Sequence, residues 1–167
     1  MTKKIVIAAF ATVVMIVVMR WMGAELESKV SPFGIVSFEF AKNFEQAKTI
    51  IAEVGQKPLQ WNISIDFLFL IAYTFFFFFC CKALMSQYYS PKIKTIGFIF
   101  LELSVLAGVL DLVENIAMLI TLGGYGSDIS VGVSYWTAIA KFATIAILII
   151  YILGASFLVY FTSKKKV

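Results

Sequence analysis

Residues 61–84 read WNISIDFLFLIAYTFFFFFCCKAL, an apolar run that holds one acid, Asp66, and one base, Lys82. A helix of this length rises about 1.5 Å per residue and spans the roughly 30 Å hydrocarbon core of a bilayer. The chain has four such runs, at about 5–22, 61–84, 95–122 and 133–161. We therefore predict an all-α integral membrane protein, a single membrane domain (1–167) folded as an up-down bundle of four transmembrane helices.

The composition of the whole chain supports this class. Of its 167 residues, 61% are hydrophobic and 14% are charged, whereas a soluble domain is about 45–50% apolar and about 25% charged. The formal net charge is +4, but the basic residues border apolar runs and form no interleaved basic and aromatic surface. Membrane lipids are therefore expected as partners, and nucleic acid is not.

Histidine is absent from the sequence, and the two cysteines, Cys80 and Cys81, are adjacent. Without histidine the chain lacks the usual haem ligand, most zinc and copper sites, and the Ser-His-Asp type of catalysis. Adjacent cysteines in an apolar run do not form a Cys-x-x-Cys redox pair, so we interpret them as packing residues. We expect no cofactor, no metal site and no catalytic residue.

Lysine placement predicts the orientation of the bundle. Three regions carry lysines with no acid among them, namely the N-terminus, the loop after the second run and the C-terminus: Lys3, Lys4, Lys82, Lys92, Lys94, Lys164, Lys165 and Lys166. By the positive-inside rule these regions face the cytoplasm, so the segment 24–60 and the loop after Leu122 face outward. We expect a multi-pass protein of a bacterial inner (plasma) membrane with both termini cytoplasmic.

The extracytoplasmic segment 24–60 contains a predicted amphipathic helix. Its apolar residues recur at steps of three and four: Phe44, Ala47, Ile51 and Val54. We expect this helix to lie on lipid headgroups or to roof the bundle rather than to act as a mobile lid.

The ends of this helix are also marked in the sequence. Asn43 with Gln46 fits a capped start, and Gly55 fits the end. An apolar contact by Phe40 would favour an earlier start. The preceding segment 35–40 fits either a helix or a strand.

Five ionisable residues lie inside the predicted spans: Asp66, Glu102, Asp111, Glu114 and Lys141. Such residues are costly in a membrane and normally face the bundle interior, pair with one another or mark a site. Helical steps of about 100° place Ser104, Gly108, Asp111 and Asn115 on one arc of the third helix, with Glu114 at its flank.

Depth along each helix indicates which of these residues meet. At about 1.5 Å per residue, the polar residues of the second, third and fourth helices reach a similar level in the outer half of the membrane. We therefore predict one polar cluster that binds a ligand or couples to an ion: Asp66, Tyr73, Asp111, Glu114, Asn115 and Lys141. Glu102 lies about 180° around its helix from Asp111, so it would pair with Lys82 or with a neighbouring subunit.

The predicted cluster holds three carboxylates and one lysine. Buried carboxylates without a partner bind a proton or recruit a cation. Arg20, at the outer end of the first helix, is a possible charge partner for one of them, and a proton or an external cation would then balance the other. A static hydrogen-bonded network with one protonated acid fits the same residues.

The leading interpretation is a small non-enzymatic membrane protein whose polar cluster binds a lipid-like ligand or docks a partner membrane protein. In that role Lys141 would pair with an anionic group or a carboxylate, while Asp66 and Asp111 would orient the ligand. The excess of acids also fits a proton- or cation-coupled transporter or channel subunit, which would form a homo-oligomer because four helices enclose little pore. A third possibility is a lipid-modifying enzyme that uses carboxylates as general acid and base.

Overall fold

The computed structural model describes residues 1–87 and 91–164, and in these ranges the chain is helical with no strand. The two C-terminal lysines used to predict orientation, Lys165 and Lys166, lie outside the described residues. Six α-helices and one π-helical turn follow in order: α1 Thr2–Ala24, α2 Ile35–Glu39, α3 Phe44–Val54, α4 Gln56–Met85, α5 Pro91–Ile120, the π turn Thr121–Tyr125, and α6 Asp128–Lys164.

Four of these helices are long and apolar enough to cross a membrane. They are α1, α4, α5 with the π turn, and α6, and their most apolar stretches have mean hydropathies between 2.1 and 2.5. The all-α class and the set of four apolar helices are confirmed. This set is typical of a multi-pass membrane protein.

The apolar helices extend further than the hydrophobic runs that predicted them. The helix α6 begins at Asp128 rather than near Val133. Ser127 and Ser130 cap this start reciprocally, each side-chain oxygen accepting a hydrogen bond from the backbone N–H of the other residue at 3.0–3.3 Å.

Neighbouring long helices pack in sequence order, α1 against α4, α4 against α5 and α5 against α6. Close approach of α4 and α5 depends on Gly108, since a Cβ atom there would overlap Thr74 Oγ1. Ser104, one turn earlier on α5, is also fully buried. The small residues of α5 therefore allow the two backbones to approach each other, as small-xxx-small pairs do.

The short helices α2 and α3 cover one end of the long helices. Phe38 and Ile50 are buried against Leu59 and Ile63 of α4 and Met118 of α5. The apolar side chains of this cover form a continuous core with the ends of the long helices, so the cover is part of the fold.

The start of α3 has the predicted cap, since Asn43 Oδ1 accepts a hydrogen bond from the Gln46 N–H at 2.9 Å. The end is Gly55, whose φ of 93° a residue with a side chain rarely adopts. The earlier start at Phe40 is wrong, because Phe40 ends α2 and its ring contacts Tyr135 and Phe142 of α6. The segment 35–40, left open between helix and strand, is helical from Ile35 to Glu39.

Candidate functional site

Lys141 of α6 is a buried cation, with only 7% of its side chain exposed, and it lies among three carboxylates. Its Nζ is 3.0 Å from Asp111 Oδ1 and 2.8 Å from Glu114 Oε2, both on α5. It is 3.8 Å from Glu39 Oε2 on α2. Asp111 and Glu114 reach the same ammonium because residues three apart share a face of a helix.

Two further contacts join α4 to this group. The Tyr73 hydroxyl donates to Asp111 Oδ2 at 2.8 Å and also lies 3.2 Å from the Ala107 carbonyl oxygen. Asn115 Nδ2 donates to Asp66 Oδ2 at 2.7 Å. The six side chains named from the sequence thus lie in two hydrogen-bonded or ion-paired groups where α4, α5 and α6 meet.

Glu39 is the member of the cluster that sequence reasoning missed. The sequence predicts that the segment 24–60 faces outward, and the predicted cluster includes none of its acids; Glu39 of this segment is 7% exposed and its Oε2 lies 3.8 Å from Lys141 Nζ. Burial raises the pKa of Glu39 above its usual value, although Lys141 opposes this shift. In the sequence, burial of Glu39 is indicated by its position between two aromatic residues, Phe38 and Phe40.

Two other expected charge pairs are not formed among the described residues, Arg20 with the cluster and Glu102 with Lys82, and the alternative partner of Glu102, a neighbouring subunit, stays a prediction. Arg20 forms an exposed ion pair with Glu27, so it is not paired with a member of the cluster. Glu102 is exposed, and among the described residues no ion pair joins it to Lys82, whose Nζ lies over the Phe78 ring at 5.8 Å.

The cluster is unbalanced in charge and in hydrogen bonding. Glu39, Asp66, Asp111 and Glu114 supply four carboxylates, and Lys141 is the one ammonium that contacts any of them in the described part of the chain. The Lys141–Glu114 contact lacks hydrogen-bond geometry. Several other buried polar atoms in these ranges also lack a hydrogen-bond partner: Glu39 Oε2, Asn115 Oδ1, both amide atoms of Asn62, Thr74 Oγ1 and Ser134 Oγ.

A cavity of about 470 Å³ adjoins the cluster. It lies between α1 and α6, with α4 and α5 behind it and α2 at one end. Five charged residues line it, Arg20, Glu39, Asp66, Asp111 and Lys141, and the rest of its lining is mainly apolar: Ile16, Met19, Phe33, Ile35, Val36, Phe69, Phe77, Phe142, Ile145 and Ile149. The cavity lining thus combines a group of charged side chains with an apolar surface.

A second groove, of about 560 Å³, lies between α1 and α4. Its walls are apolar apart from Lys4, and they include Ile71 and Phe75. None of the four carboxylates of the cluster lines this groove, so the groove serves as a control site for experiments on the cavity.

Comparison of the chain with protein-family models, curated proteins and solved structures gives no match. Among residues 1–87 and 91–164, no three acidic or cysteine side chains are arranged to hold a metal ion. The geometry of the cluster and its cavity therefore carries the functional argument.

Proposed function

We propose that this protein spans the membrane four times and binds one lipid-like amphiphile in the cavity between α1 and α6, without catalysing a reaction on it. The observation that carries the proposal is the lining of this cavity, which combines charged side chains with an apolar surface. Its volume, about 470 Å³, lies within the range of roughly 300–1,000 Å³ that is usual for small-molecule sites. An amphiphile has the same division into a polar head and an apolar chain.

Incomplete hydrogen bonding in the cluster favours a ligand over a purely structural role. Polar side chains that only hold membrane helices together satisfy one another, since an unpaired buried polar atom is costly. Here Glu39, which lines the cavity, has no hydrogen-bond partner at Oε2 among the described residues. A head group in the cavity would supply a partner for this atom.

The proposed topology places both termini in the cytoplasm of a bacterial inner membrane. The lysines of the N-terminus and of the α4–α5 connection support this orientation. An up-down arrangement is supported by pairs at successive levels: Gln56 with Leu122, Tyr73 with Ala107, and the neighbours Met85 and Gly97. The cavity then opens toward lipid at the level of the outer leaflet.

Native mass spectrometry of protein extracted gently from its own membrane tests the proposal. We expect a single retained amphiphile per chain. Ile149→Trp, which fills the cavity at a residue that is 44% exposed, should abolish the adduct. Ile71→Trp, at a 49% exposed residue of the α1–α4 groove, is the matched control and should retain it. A bare wild-type chain, or equal loss in both variants, would contradict the proposal.

A second candidate function, coupling to protons or cations, is favoured by the excess of carboxylates over ammonium groups. Its test is flux into liposomes measured at several pH values, with Asp111→Asn as the variant. Flux that depends on pH and disappears in Asp111→Asn would support transport. The absence of flux at every pH would exclude it and leave the binding role.

A further inference from the structure

We infer that the head group of the bound amphiphile is a cation, an alkylammonium held by Glu39 and Asp66. This inference rests on the proposed function, because it names the chemical class of the ligand in the same cavity. Three observations support it: the excess of acids in the cluster, the pairing of Lys141 with three carboxylates, and the position of Glu39 and Asp66 on the cavity wall.

Lys141 is not available to an anionic head group. Its Nζ has a carboxylate oxygen of Asp111, Glu114 and Glu39 within 3.8 Å. It donates a hydrogen bond to Asp111 Oδ1, and the other two carboxylates lie close enough to pair with it by charge. The other base in the cavity lining, Arg20, pairs with Glu27, which does not line it. An anion entering the cavity would therefore compete with carboxylates that already surround Lys141.

Glu39 and Asp66 are the acids best placed for a cation from outside. Both line the cavity. Glu39 Oε2 has no hydrogen-bond partner, although its side chain is more than nine-tenths buried. Asp66 is only half-buried, and Asn115 is its one side-chain partner among the described hydrogen bonds. An ammonium between them would donate two charge-assisted hydrogen bonds, one to each carboxylate, and such bonds are about twice as strong as neutral ones.

The surrounding walls suit an organic cation better than a metal ion. Phe69 and Tyr73 line the cavity next to Asp66 and pack edge to face at 5.3 Å. Aromatic rings attract ammonium groups through their faces. Beyond these rings Phe77, Ile145 and Ile149 continue the wall as an apolar surface that an alkyl chain can cover. In the described residues the carboxylates do not converge as a metal-binding group.

The test compares three probes with the same alkyl chain: dodecylammonium, dodecanol and dodecanoate. Each is titrated against the full chain in a nonionic detergent, and binding is measured by native mass spectrometry and calorimetry. We expect dodecylammonium to bind at least about tenfold more tightly than dodecanol, with dodecanoate weakest, as hydrogen bonds to charged groups imply. Binding of all three should be lost in Ile149→Trp and kept in Ile71→Trp.

Carboxamide variants then identify the acids. Asp66→Asn and Glu39→Gln, made separately, should each remove most of the preference for dodecylammonium while dodecanol still binds. Glu45→Gln is the control, because the side chain of Glu45 is 82% exposed on α3. Two variants are used so that a folding defect in one does not end the test.

The outcomes separate the inference from the proposed function. If dodecanoate or dodecanol binds as tightly as dodecylammonium and Ile149→Trp abolishes that binding, the cavity holds an amphiphile but the inference of a cationic head is wrong. If none of the probes binds in a way that depends on Ile149, the proposed function is wrong as well. A preference for dodecylammonium that survives both carboxamide variants would also overturn the inference.

Discussion

Lys141 lies in the interior of the bundle, where a buried ammonium group needs carboxylates close to it. Three carboxylates from two helices contact it, two from α5 and one from α2. Removing one partner of a buried ion pair leaves the other charge uncompensated, which is much costlier than losing an exposed pair. We therefore expect the pairing of Lys141 with these acids to contribute more to stability than an exposed ion pair does.

We expect Lys141→Met to lower the free energy of unfolding by roughly 3–5 kcal/mol, because it leaves Asp111 and Glu114 buried without a cation. Lys48→Met is the matched control. Lys48 also pairs with an acid at 2.8 Å, but its side chain is 52% exposed, and such pairs contribute about 0–1 kcal/mol. Thermal unfolding in detergent measures both variants.

The double variant Lys141→Met with Asp111→Asn should recover part of the loss, since it removes one of the stranded charges. Equal stability of Lys141→Met and Lys48→Met would show that the cluster does not hold the interior together.

The sequence was sufficient to find most of the cluster, and the reason is physical. Charged groups inside an apolar run must face protein, and helical geometry then fixes which of them share an arc. Glu39 could not be found in this way, because its burial depends on α2 folding back against α5 and α6. Contacts between distant segments of this kind are not encoded in local periodicity.

The close packing of α4 against α5 requires a residue without a side chain at Gly108. Its Cβ position would overlap Thr74 Oγ1 and would lie 3.2–3.3 Å from two carbons of Thr74. Since β-branched threonine has little rotational freedom in a helix, the helices rather than the side chain would have to move.

Gly108→Ala should therefore destabilise the protein by about 1–3 kcal/mol, the usual cost of overpacking. Gly154→Ala on α6 is the control, because a Cβ there has no other atom within 4 Å. Chemical or thermal unfolding in the same detergent compares the two. Adding Thr74→Ala to Gly108→Ala should restore part of the stability, and no difference between the two glycine variants would contradict this description of the interface.

The presence of the four long helices could be predicted from hydrophobic runs, but the residues at which these helices begin and end could not. The caps at Asn43 and Gly55 were recognisable because their residue types are typical of helix ends. The start of α6 was missed by five residues, since Ser127 and Ser130 cap it outside the apolar run. For α6, the polar cap is therefore the part of the helix that the hydropathy pattern omits.

The orientation of the whole molecule gives a prediction that is independent of any ligand. In a background with Cys80→Ala and Cys81→Ala, a cysteine is introduced by Glu45→Cys on α3 or by Gln87→Cys after α4. We expect an impermeant maleimide to label Glu45→Cys in intact spheroplasts and to label Gln87→Cys only after the membrane is permeabilised, because both positions are exposed. The reverse pattern, or labelling of both in intact spheroplasts, would contradict the proposed topology.

The cavity is the feature that sequence reasoning could not supply. It exists because α1 packs on α4 and α6 packs on α5, which leaves a space between α1 and α6. Helical periodicity predicts which face of each helix is buried. The width of a space between two nonadjacent helices, however, depends on how all four long helices pack. The same packing exposes Glu39 and Asp66 to that space.

Photocrosslinking is the most direct test of whether this space holds an amphiphile. A dodecylamine that carries a diazirine in its alkyl chain is added to membranes containing the protein, and the sample is illuminated. The crosslinked residues are then identified by peptide sequencing. We expect the crosslinks to concentrate on the cavity walls at Ile16, Phe142, Ile145 and Ile149 and to be competed by unmodified dodecylamine. Crosslinks spread evenly over exposed apolar residues such as Phe98, Val105 and Ile150, without competition, would contradict a binding site between α1 and α6.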